Sequence, residues 1–150
     1  MSKENEPTVV VSLTVKDAAE ALEFYSAAFG SKEIFRMPMP DGTVAHAEFK
    51  IGNFSLSISG EYPEWNAFGF EESDTAACLF GINVENSDEA FEKAIEAGAT
   101  CIEKPTDQPW GYRTAIVRDP FGYRWNLRQM QEDLSPRELM QRMQELMGGE

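Results

Sequence analysis

Histidine is almost absent: the 150 residues contain one, His46. Cysteine is scarce as well, at two, and 13 Lys and Arg face 26 Asp and Glu, a formal charge of −13. Each shortage excludes something. One imidazole beside one acid, His46 and Glu48, is too few for a metal centre of the ordinary kind. Cys78 and Cys101 lie too far apart for a CxxC pair and are expected as free thiols packed like small apolar groups, Cys78 buried within an apolar run. The acidic excess repels phosphate backbones and anionic lipid, so no nucleic acid and no membrane is expected as a partner. It suits a cationic or neutral ligand, or simply a solubilising surface. No apolar run approaches the roughly 18 residues of a membrane span. The start, Met-Ser-Lys-Glu-Asn-Glu-Pro, has no signal-like apolar region. A cytoplasmic location is the expectation.

What is present is a hidden repeat. Asp17-Ala-Ala-Glu20 and Asn86-Ser-Asp-Glu89 open two matching helical patterns 69 residues apart (from 17 to 86). Each starts on an N-cap residue with Glu three positions on, and each ends near a glycine, Gly30 or Gly98, suited to a left-handed C-terminal position. Strand-like runs flank both: Val9–Val15, Lys32–Met37, Thr43–Ile51 and Phe54–Ser59 around the first, Cys78–Val84, Cys101–Lys104, Arg113–Arg118 and Tyr123–Arg128 around the second. Both halves read strand–helix–strand–strand–strand. Repeat one covers about 8–60 and repeat two about 77–130, within one domain spanning 1–150. The connector, 61–76, carries Trp65, Phe68 and Phe70 beside Tyr62, which fits either a ligand wall or a cap on the core or a subunit contact. From Ser135 a capping box through Glu138 starts a last helix, about 135–147. Its face of Leu139, Met143 and Leu146 needs a surface to dock on, its own domain or a second copy. A homodimer is expected.

The duplicated βαβββ pattern, the Asp-Ala-Ala-Glu-Ala-Leu-Glu-Phe-Tyr helix and the Asp-Pro-Phe-Gly-Tyr-Arg-Trp hairpin at 119–125 resemble the vicinal oxygen chelate superfamily of glyoxalases, bleomycin-resistance proteins and dioxygenases. Ala-His-Ala-Glu-Phe-Lys-Ile-Gly at 45–52, Asp-Gln-Pro-Trp-Gly-Tyr-Arg at 107–113 and Glu-Asp-Leu-Ser-Pro-Arg-Glu at 132–138 resemble its PhnB-like branch. The resemblance implies an α+β fold: two βαβββ repeats whose curled sheets form an open eight-stranded half-barrel pair around a cavity, plus the C-terminal helix. In metal-dependent members four inward His or Glu side chains hold a divalent ion, which acts on substrate oxygens as a Lewis acid. Carried onto this chain, those positions fall on Val10, Ser57 (Ser55 if the register slips by two), Leu79 and Asn126. Valine and leucine have no lone pair to give, and serine and asparagine are poor ligands for such an ion. No metal and no other cofactor is therefore expected.

Asn126 then stands where relatives place a carboxylate, a neutral amide able to orient a ligand by hydrogen bonds. Arg124 and Arg128 flank it on the same face by alternation. They either grip an anionic group or are occupied otherwise, Arg124 in an internal ion pair and Arg128 in solvent. Trp110, Tyr112 and Arg113 lie where such folds shape their pockets, and Ser12, Thr14, Ser57, Ser59 and Asn83 make the same wall polar. The ligand-binding candidates are Asn126, Arg124, Ser57, Trp110, Tyr112 and Trp65. His46, Glu48 and Tyr112 are the candidates for acid/base work. Two functions follow: a metal-free protein that binds a small molecule, or an enzyme (a lyase, isomerase or dioxygenase-like member) that is cofactor-independent or has relocated its metal.

Overall fold

The computed structural model describes residues 6–148, so the polar start Met1–Asn5 lies outside the described residues. The chain divides into two compact units, Met1–Gly69 and Phe70–Glu150, and the division falls inside the connector.

The first unit runs β1 (Val11–Thr14), α1 (Ala18–Phe29), β2 (Lys32–Pro38), β3 (Val44–Ile51) and β4 (Phe54–Ser59). Its sheet has the order β1-β4-β3-β2, with β1 and β4 parallel and the other pairs antiparallel. Asp17 caps α1 by accepting the Glu20 N–H at 3.0 Å, and Gly30, at φ 66°, ends it. Ala21, Leu22, Tyr25 and Ala28 form the buried stripe of the helix. That stripe meets Leu13, Ala47, Phe49, Leu56 and Ile58, the inward members of alternating strands. Tyr25 stacks on Phe49 with ring centroids 5.4 Å apart.

The second unit repeats the topology: β5 (Phe80–Asn83), α2 (Ser87–Ala97), β6 (Thr100–Asp107), β7 (Tyr112–Arg118) and β8 (Arg124–Met130), in the order β5-β8-β7-β6. Asn86 caps α2 on the Glu89 N–H at 3.0 Å. Ala115, Val117, Trp125 and Leu127 form the buried face of the sheet. The fold is thus the expected α+β duplication of two curled four-stranded sheets, followed by α3 (Pro136–Gly148). The capping box of α3 closes in both directions, Ser135 N–H to Glu138 and Glu138 N–H to Ser135 Oγ. Leu139 and Met143 are half-buried, whereas Leu146 and Met147 stay exposed.

Several strand boundaries differ from those expected, three of them with consequences. Strand β5 starts at Phe80, so Cys78 lies before it and is exposed rather than buried. Strand β1 starts at Val11 and leaves Val9 and Val10 outside it, both exposed. Strand β6 runs on through Pro105, which an edge strand tolerates because the ladder slips between Glu103 and Thr106.

The Asp-Pro-Phe-Gly-Tyr-Arg-Trp motif is structural. The buried Asp119 carboxylate accepts the N–H groups of Phe121 and Tyr123 and the indole N–H of Trp125, at 2.9, 3.0 and 2.9 Å. Gly122 has φ 104°, and a Cβ there would come within 2.6 Å of Phe70. Phe70 in turn sits edge-on to Tyr123 at 4.8 Å. The connector aromatic at 70 is therefore a cap on the second unit's core.

Candidate functional site

In each unit one sheet face lies under the helix, so the residues between the core positions occupy the opposite, helix-free face.

In the second unit Trp125 and Leu127 are buried on the helix side, which sets Arg124, Asn126 and Arg128 on the helix-free face of β8. Register places Gly81 of β5 and Ile116 of β7 beside Asn126, and Asn83 and Thr114 beside Arg128. Asn126 Oδ1 is buried without a hydrogen-bond partner, and so is Arg124 Nε. Arg124 reaches only a backbone oxygen, its Nη2 lying 3.4 Å from Cys78 O, so the internal ion pair considered from the sequence does not form. The Arg128 guanidinium lies over the Tyr112 ring, 4.6 Å from its centroid, instead of standing free in solvent. Glycine at 81 allows this, since a Cβ there would come within 3.1 Å of Arg128 Cδ. The structure thus brings Asn126, Arg124, Arg128 and Tyr112 onto one face.

Trp110 stands apart on the turn before β7 and is exposed. Arg113 faces the helix side. Its guanidinium binds Asp88 at 2.7 Å and Asp107 at 3.0 Å, tying the start of α2 to the sheet, so its role is structural. That hydrogen bond from Arg113 holds the Asp88 carboxyl below the ordinary carboxylate value.

In the first unit the helix-free face is lined with hydroxyls. Ser12 and Ser57 are register partners whose hydroxyls hydrogen-bond. Glu48 sits opposite Ser57 and His46 opposite Ser59. His46 Nε2 lies 3.7 Å from Glu48 Oε1, with both side chains partly exposed. Ser55 and Ser57 share one face of β4, where Ser57 is buried and Ser55 exposed. Trp65 belongs to neither set. It lies on a single 3-10 turn, packs on Tyr62 at 5.0 Å and is 74% exposed. Three surface concavities of about 380–390 Å³ are lined by other residues: one by Leu22, Glu33 and Arg36, one by Lys16, Met39 and Tyr62, one by Glu132 and Arg142.

A model of the Glyoxalase/Bleomycin resistance protein/Dioxygenase superfamily matches residues 8–127, and the chain belongs to that superfamily. The uncharacterized protein Mb0911c of Mycobacterium bovis is 35% identical over 144 residues, covering 92% of this chain and 93% of that protein. The uncharacterized protein Rv0887c of Mycobacterium tuberculosis is equally similar, with 83% of its length covered. Among solved structures, TioX from Micromonospora sp. ML1 is 25% identical with a TM-score of 0.64, covering 83% of this chain and 99% of that one. The fosfomycin resistance protein FosX from Listeria monocytogenes, in complex with Mn(II) and sulfate, is similar in fold alone. Its identity is 18% and its TM-score 0.64, over 92% of this chain and 98% of that one.

The fold family implies a divalent ion, and the residues present do not fit one. Val10 and Leu79 offer no donor and precede their strands, leaving Ser57 and Asn126 as the only side-chain oxygens at the four positions. Among the described residues no three His, Cys, Asp or Glu gather where they could hold a metal ion. His46 with Glu48 is a pair without a third ligand. No helix among the described residues is long and apolar enough to cross a membrane.

Proposed function

We propose that this chain is a metal-independent small-molecule-binding protein, similar to the bleomycin-resistance members and to the PhnB-like branch, that holds its ligand against the helix-free face around Asn126. The observation that carries the reading is the buried Asn126 Oδ1 without a partner. A buried acceptor left unmade costs about 1–3 kcal/mol, a cost that a ligand donor removes on binding. An amide at that position avoids the desolvation of a carboxylate that has no cation beside it. Arg124 and Tyr112, on the same face of the second unit, orient the ligand. No cofactor is required. The free thiols suit the cytoplasm, and the charge of −13 argues against nucleic acid as a partner.

A second reading draws on the 3.7 Å approach of His46 and Glu48, a pair able to shuttle a proton in a cofactor-independent lyase or isomerase. The two readings part in one experiment, a thermal-shift screen of small molecules with and without Zn²⁺, Ni²⁺, Mn²⁺ or Fe²⁺, followed by product analysis. A ligand present at 100 times its Kd stabilises by about 2.7 kcal/mol, a Tm rise on the order of 5–10 °C. The binding reading expects that rise without metal and without product; metal-dependent turnover contradicts it. The reading includes a homodimer, supported by Ile34, Phe35 and Met37 exposed on edge strand β2 and by Leu146 and Met147 on α3. Sedimentation equilibrium at micromolar protein expects a dimer and would reject it on finding monomer alone.

A further inference from the structure

We infer that the seat around Asn126 takes an anionic ligand, one whose carboxylate or phosphonate oxygens are received by Arg124 and Arg128. The inference rests on the proposed binding reading and adds the ligand's charge, which the overall composition would set the other way.

The argument starts from who pairs with whom. Acids outnumber bases two to one in this chain, and three of the other arginines bind carboxylates: Arg36 binds Glu33, Arg113 binds Asp88 and Asp107, and Arg142 binds Glu132, while Arg118 bonds the backbone oxygen of Asp74. Arg124 and Arg128 have none among the described residues. Both stand on the helix-free face of β8, two residues either side of Asn126. Arg124 Nε is buried and unbonded, a donor turned away from water with nothing to receive it. The Arg128 guanidinium carbon lies over the Tyr112 ring, 4.6 Å from its centroid, its stem passing over the space that glycine leaves at 81. A guanidinium over a ring face makes no hydrogen bond there and so keeps N–H groups for a forked bond to an oxyanion.

Two acids of the second unit come near. The carboxylate of Asp119, beside Tyr123, is taken by the Phe121 and Tyr123 N–H groups and the Trp125 indole. Glu103 pairs with Ile116, which pairs with Asn126. That is two strand spacings, about 10 Å, from Asn126. The Glu103 carboxylate is engaged by Gln108 Nε2 at 3.1 Å, and the same amide bonds Thr114. Negative charge that reaches the seat only across solvent is screened beyond about 8 Å at physiological salt. Local donors therefore outweigh the net charge at this face.

The test uses the full chain, stripped of metal with EDTA, and four probes of similar size: benzoate, phenylphosphonate, benzyl alcohol and benzylamine. Binding is read from the side-chain amide resonances of Asn126 and the Nε–H resonances of Arg124 and Arg128. Benzoate or phenylphosphonate is expected to shift these resonances, and benzyl alcohol and benzylamine to leave them in place. Arg124→Gln and Arg128→Gln are each expected to weaken the anion by on the order of tenfold or more. Arg128→Lys, which keeps the charge and loses the fork, is expected to weaken it as well. The wild-type ranking of probes needs no variant to fold. Preference for benzylamine or benzyl alcohol at Asn126 would overturn the anionic assignment while leaving metal-free binding intact, as would the absence of any shift with all four probes at millimolar concentration. Anion binding that appears only after Mn²⁺ or Zn²⁺ is added would overturn the binding reading beneath it.

Discussion

The two repeats share a topology and almost nothing on their helix-free faces. The first presents Ser12, Ser57 and Ser59 around His46 and Glu48; the second presents Arg124, Asn126 and Arg128 around Tyr112. Their helix-side faces agree in kind, both packed with aliphatic and aromatic side chains. The contrast teaches where constraint ends. A duplicated unit must keep its core to stay folded, while the opposite face is free to diverge.

The sharpest break in the comparison would come from neighbouring residues of one strand. Trp125, buried beside Phe80 at 5.0 Å and bonded to Asp119, belongs to the core. Trp125→Ala is expected to cost about 3–5 kcal/mol in a denaturant titration. Asn126→Leu, one residue on, is expected to be neutral or slightly stabilising, because it removes an unsatisfied buried group, and to abolish ligand binding. Equal destabilisation by both would erase the distinction between the faces.

The turns give the next effect. Gly122→Ala meets both a positive φ of 104° and the Phe70 ring, whereas Gly52→Ala, at φ 59°, meets open space. The first is expected to cost about 2–4 kcal/mol and the second about 1 kcal/mol, read as shifts in the urea midpoint. The helix caps should be equivalent: Asp17→Ala and Asn86→Ala are each expected to cost about 1 kcal/mol, since each loses one bond to a backbone N–H three residues on. The smallest effect is electrostatic and confined to the second repeat. Asp88 is held below its ordinary value by Arg113, so its contribution is present above the unfolded carboxylate pKa and is lost as pH falls through the lower folded value. Asp88→Asn is expected to flatten that acid-side loss of stability in urea titrations across pH. The corresponding position in the first repeat is Ala19 (88 − 69 = 19), which has no such charge to titrate.

Much of the fold was legible because its signals are local. N-caps, terminal glycines, alternation and the 69-residue repeat each lie within a short window, and they located the helices and the strand order of both halves. The face of Asn126 followed from alternation alone. What the sequence withheld depends on contacts between distant residues. The apolar neighbours of Cys78 predict burial, yet the strand starts two residues later and leaves it exposed. Phe70 could have been a ligand wall, and only its packing against Gly122 and Tyr123 makes it a cap. Arg113 was grouped with the pocket by position in the chain, and its carboxylate partner Asp88 lies 25 residues away. The partners of Arg124 were open for the same reason, and their absence is the observation that redirected the ligand's expected charge.

The proposed function stands on one central claim, that the serine and asparagine left at the family's metal positions hold no cation. It is tested most directly by loading the purified chain with excess Mn²⁺ or Zn²⁺, desalting it, and counting retained metal per chain by mass spectrometry, for wild type and Asn126→Ala. The account predicts retention far below one ion per chain and no difference between the two proteins. One tightly held ion per wild-type chain, lost in Asn126→Ala, would contradict it.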